Sequence, residues 1–69
     1  MELNQLAVGK LFLFRKNLFK RPSNEMVAGM VLEFSKNLVG NIEIKILFGN
    51  RIFWLELPQN YFKYHVKII

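Results

Sequence analysis

The stretch from Ile42 to Leu57 limits the fold of this chain more than any other part of it. Ile42-Glu43-Ile44-Lys45-Ile46 alternates apolar and charged residues with period two, the pattern of a strand with one buried face. Gly49-Asn50 follows, a dipeptide suited to a two-residue hairpin turn with positive φ. Arg51-Ile52-Phe53-Trp54-Leu55-Glu56-Leu57 then reads as a second strand, stopped by Pro58. Such a turn sets the register. Ile46 lies opposite Phe53, Ile44 opposite Leu55 and Ile42 opposite Leu57, which makes an apolar inner face. The outer face pairs Lys45 with Trp54, Leu47 with Ile52 and Glu43 with Glu56. A one-residue slip would turn the isoleucines to solvent, so this register is firmly specified.

The remaining segments read as short strands and turns. Val8 to Phe14 is expected to be a strand, with Val8, Phe12 and Phe14 on one side and Leu11 and Leu13 on the other. Residues 15–25 form a long polar loop broken at Pro22. Met26 to Phe34 is apolar on both faces with Gly29 inside, as in a strand bent sharply around a small barrel. Ser35 to Asn41 makes a turn, Gln59 to Phe62 a short helical turn, and Tyr64 to Ile69 a last strand. A further turn is expected at Leu3 to Ala7. The fold class is therefore all-β: a small five-stranded barrel with a long first loop and a one-turn helix before the last strand.

This order resembles the SH3-like small barrels. The resemblance is carried by Val8-Gly9-Lys10, Ala28-Gly29-Met30-Val31, the Gly49-Asn50 hairpin, and Phe53-Trp54-Leu55 followed by Tyr61. It spans nearly the whole chain through short motifs. Two branches are similar: the small SH3-like accessory proteins of tailed phages, with a Gly-hydrophobic-Val strand and a Trp near the second hairpin strand, and the peripheral SH3-like subunits of photosynthetic complexes such as PetP, through Glu33-Phe34 and Trp54-Leu55. Lys10 departs from the KOW-type barrels, which commonly carry an acidic residue there, and the first loop is unusually basic. The bias toward Phe, Tyr, Met, Ile, Asn and Lys is that of an AT-rich genome, such as those of many phages, plastids and some bacteria.

Sixty-nine residues make a single domain spanning 1–69. A chain of this size buries only about 60 % of its unfolded surface and needs help with stability. With no cysteine it has neither disulfides nor thiolate zinc sites. The remaining remedies are a very apolar core, matched by 52 % hydrophobic residues, or a partner. The net charge of +5 favours polyanions, acidic protein surfaces or anionic membranes without choosing among them. Leu11 to Phe14 is the longest apolar run, far short of the ~20 residues of a membrane helix. Met1-Glu2-Leu3-Asn4 does not open a signal peptide. An intracellular protein, or one on the aqueous side of a complex, is expected.

The chain offers little for catalysis: one His, two Ser, no Cys and no Asp. Ser23 and Ser35 fall in expected turns, where hydroxyls bond their own backbone. His65 reads as an ordinary strand residue. Glu43 and Glu56 face each other, but two carboxylates without His or Asp make a poor metal site; nearby lysines or a partner's cations are expected to offset their repulsion. The four glycines are too scattered for a phosphate loop. Neither an enzyme nor a cofactor, metal or small-molecule substrate is expected.

Two features suit binding. Arg15, Lys16, Lys20 and Arg21 crowd the first loop with Phe14 and Phe19, a mixture that holds phosphates and stacks on unpaired bases unless the phenylalanines pack back onto the core. Trp54, beside Lys45 on the outer face and flanked by Leu47 and Ile52, makes an apolar patch of the kind found at interfaces unless the first loop covers it. The expectation is a non-catalytic accessory subunit docking onto a larger protein complex through Trp54, Lys45 and the basic loop. The alternative is an RNA- or DNA-binding barrel using the loop.

Overall fold

Alternation on either side of Gly49-Asn50 is realised as a regular antiparallel hairpin, to which the other strands are added on one side only. The computed structural model describes residues 1–19 and 25–69. Its strands are β1 (Leu11–Arg15), β2 (Met26–Lys36), β3 (Ile42–Phe48), β4 (Arg51–Leu57) and β5 (Lys67–Ile68), with a helix α1 (Gln59–His65) before the last. They form one five-stranded sheet in the order β4-β3-β2-β1-β5, and every pairing is antiparallel. The result is a small all-β, barrel-like fold. No helix among the described residues is long and apolar enough to cross a membrane.

The hairpin register is the one that turn and alternation dictate, from Phe48 opposite Arg51 to Ile42 opposite Leu57. Ile42, Ile44, Ile46 and Leu57 are buried with Phe12, Phe14, Val31, Phe62 and Val66. Phe53 and Leu55 face the same way but are only half-buried, packing against that cluster. They lie on β4, which ends the sheet, and an end strand has a neighbour on one side only.

Curvature is concentrated in β2. Its pairing with β3 shifts between Val31 and Glu33, so one extra residue bends the strand. Gly29 allows the sheet to fold over its own core: a Cβ there would stand 2.7 Å from Ile46 Cγ2 and 3.2 Å from Phe14 Cδ2. The strand runs on through Ser35 and Lys36, residues expected in a turn, because both pair with β3.

The N-terminal expectations need two corrections. Val8 is 62 % exposed rather than on the core side with Phe12 and Phe14; Gly9 has φ +83°, which breaks the alternation before β1 begins at Leu11. The polar loop of 15–25 begins later than its composition suggests, since Arg15 closes β1 and Lys16–Phe19 is a 3-10 helix. Its base is pinned by Lys16 N–H donating to the Glu25 carbonyl at 2.8 Å. Lys20, Arg21, Pro22 and Ser23 lie outside the described residues. The turn expected at Leu3 to Ala7 is a 3-10 helix over Leu3–Gln5.

The C-terminal segment also differs from its expected form. The helical turn after Pro58 extends to seven residues, taking Tyr64 and His65 from the strand and leaving Lys67–Ile68 as β5. Phe62 and Val66, four residues apart, are both buried, and Tyr61 and His65 pair their rings at 4.9 Å. That spacing belongs to a helix face. The Met1 ammonium donates to the carbonyls of Phe62, Lys63 and Val66 at 3.0–3.2 Å, placing positive charge where the helix leaves acceptors unpaired.

Candidate interaction surface

The outer face of the sheet follows from the register. Lys45 sits opposite Trp54, and its ammonium lies 5.3 Å from the indole centroid. The same ammonium is 3.8 Å from Glu33, its cross-strand partner on β2. Trp54 thus has a cation at its ring, yet it stands 59 % exposed. Beside it an apolar row crosses four strands, as Ile52 pairs with Leu47, Leu47 with Met30, and Met30 with Leu11. Ile52 and Leu11 are exposed at its ends, with Leu47 and Met30 half-buried between them. Sequence reading finds the Trp54–Leu47–Ile52 part of this surface. Met30 and Leu11 join it only through the β1–β2–β3 register, which no short turn specifies.

Among the described residues, the two cations of the first loop, Arg15 and Lys16, take different partners. Arg15 Nε donates to His65 Nδ1 at 3.2 Å, joining β1 to the end of α1. His65 is therefore a helical residue with a cationic neighbour, not part of a strand. The Tyr61 ring lies tilted against that imidazole, and its hydroxyl is buried without a hydrogen-bond partner among the described residues. Burial pushes the Tyr61 hydroxyl pKa up, while the Arg15 charge draws it back. Lys16 turns the other way, pairing loosely with Glu25 at 3.6 Å and lining a cleft with Phe48, Gly49, Asn50, Arg51 and Phe53. Lys20 and Arg21 lie outside the described residues.

Phe14 and Phe19 are core residues, so they offer no stacking face to a base. Phe19 stacks on Phe48 at 4.6 Å and lies 4.9 Å from Phe53, sealing this end of the core. Arg51 is the cation that sequence reading passed over. Its guanidinium stands 5.6 Å from the Phe53 centroid, and no carboxylate among the described residues pairs with it. A cation placed directly after a hairpin turn is the signal that would have found it.

At the opposite end of the hairpin, Glu43 and Glu56 face each other. Among the described residues, amide groups rather than lysines offset their repulsion. Asn37 Nδ2 donates to Glu43 at 3.2 Å and to Glu56 at 2.9 Å, and Asn41 Nδ2 donates to Glu56 at 3.0 Å. These bonds, Asn41 first, hold the Glu56 carboxyl below the ordinary carboxylate range. The Asn37–Asn41 turn is closed by its own backbone and by Gln59 Nε2 donating to the Gly40 carbonyl at 2.6 Å. On that frame Leu38 and Val39 stand exposed at the tip. Among the described residues, no three His, Asp or Glu side chains gather as a metal-binding group would. No family model, curated protein or solved structure matches the chain.

Proposed function

We propose that this chain is a non-catalytic, SH3-like accessory module that docks onto a larger protein assembly through the Trp54 face. The carrying observation is Trp54 itself, exposed on a regular strand with Lys45 at its ring and the apolar row from Ile52 to Leu11 beside it. An aromatic on a flat, preformed surface contributes contact area at little ordering cost, and tryptophan is enriched among residues that dominate binding energy. The strand order and the helix before β5 support the likeness to SH3-like barrels. Protein is favoured over nucleic acid because Phe14 and Phe19 are committed to the core and Arg15 to His65.

Trp54→Ala tests the reading when thermal unfolding and retention of a natural partner are measured on the same variant, with and without nuclease. Retention should fall by the equivalent of about 2 kcal/mol or more, with the unfolding temperature nearly unchanged and nuclease without effect. Partner loss on nuclease treatment would transfer the role to nucleic acid.

A further inference from the structure

The β4 strand ends the sheet, and nothing among the described residues pairs with its outer side. In a hairpin with a two-residue turn the closing pair, here Phe48 and Arg51, exchanges both backbone hydrogen bonds, and every second pair does so after it. Arg51, Phe53, Leu55 and Leu57 therefore bond to β3. The N–H and C=O groups of Ile52, Trp54 and Glu56 point away from the sheet, and no backbone bond from another described residue reaches them.

Natural edge strands are usually kept from pairing by shortness, a bulge, proline or inward charge. β4 is seven residues long, pairs with β3 without a bulge, and meets proline only after its end. Its margin is a groove. One cleft of about 340 Å³ runs along Arg51–Leu55 against Leu18 and Phe19, and it shares Arg51 and Phe53 with the cleft of about 370 Å³ that Lys16 lines.

We infer that the edge of β4, unpaired among the described residues, receives an extended segment of an acidic protein partner as an added strand, with a carboxylate of that segment over Lys16 and Arg51. Three outward N–H groups alternating with three C=O groups are complemented by another extended backbone and by little else. Alternate side chains of the added strand would lie beside Ile52 and Trp54, continuing the apolar outer face. Charge selects the occupant: Arg51 has no acidic partner among the described residues, and a net charge of +5 attracts an acidic segment while repelling a second copy. This inference rests on the docking role proposed for the Trp54 face.

The test uses the intact isotope-labelled chain. The probes are synthetic peptides as long as β4, seven residues, apolar at alternate positions, with glutamates or glutamines at one end. Binding of the glutamate set should slow exchange of the Ile52, Trp54 and Glu56 amide protons roughly tenfold or more. The glutamine set should bind roughly tenfold more weakly at low salt. Methylating the peptide nitrogens that face β4 should abolish binding, whereas methylating the alternate nitrogens should not. Ile52→Pro, which removes one outward N–H, should do the same to any variant that remains folded.

Unchanged exchange at the three amides with every peptide would overturn strand addition. So would protection that grows with protein concentration alone, which would assign the edge to a second copy. A natural partner retained through Trp54 while these amides exchange freely would sink the strand and leave the docking role standing. A partner lost to nuclease would remove the docking role itself.

Discussion

The two ends of the β3–β4 hairpin carry the same secondary structure and opposite kinds of outer surface. Around Glu43 and Glu56 every carboxylate has amide donors, and the adjoining turn is tied by Asn37, Asn41 and Gln59. Around Ile52 and Trp54 the side chains are apolar and exposed, the backbone groups point outward, and Arg51 lacks an acidic neighbour among the described residues. One end satisfies its side-chain carboxylates within the chain. The other leaves hydrogen-bonding capacity, apolar area and charge together, which is the combination a partner uses.

The largest expected effect belongs to the layer beneath both ends. Ile44→Ala should cost about 2–5 kcal/mol, enough to populate the unfolded state of so small a domain, as denaturant titration would show. A stable, cooperative Ile44→Ala variant would mean that neither end rests on the core described. Gly29→Ala should cost about 1–3 kcal/mol through overpacking, because its Cβ meets the branched methyl of Ile46 rather than a mobile chain end. An unchanged melting temperature would show that β2 can retreat from the core.

The polar end has a pH signature. The folded-state pKa of Glu56 lies below its ordinary value, so its contribution is present above the unfolded pKa and is lost as pH falls through the folded one. Urea midpoints measured from about pH 6 to pH 3 should drop more steeply for the native chain than for Glu56→Gln, and Asn41→Ala should flatten the difference. Parallel curves for all three would remove the amide–carboxylate network from the account of this end. The smallest effect belongs to the other end: Trp54→Ala should change folding stability by no more than about 0.5 kcal/mol, against the binding loss expected for the same variant. A large destabilisation would make Trp54 a packing residue and erase the contrast.

How much could be read in the sequence followed how local the determining interactions are. The hairpin register was legible to the residue because a two-residue turn and strict alternation fix it together. The C-terminal strand was misread because Tyr64, Val66 and Ile68 also alternate, while the helical spacing of Phe62 and Val66 competes with that pattern and wins by burying both. The basic loop was only partly legible. Composition places Arg15 and Lys16 side by side, but adjacent residues at the end of a strand project to opposite sides, so one meets His65 and the other the hairpin turn. The amide network was invisible because Asn37 and Glu56 are brought together only by the β2–β3 turn.

The Asn37–Asn41 turn has a consequence for how the chain can vary. All its fixing bonds come from Asn37, Gly40, Asn41 and Gln59, and none from the side chains of Leu38 or Val39. Those two positions are decoupled from the frame that carries them. Mutational drift, a fluorescent label or a grafted recognition motif could enter there without altering the architecture, making this tip a permissive site for acquiring a new specificity.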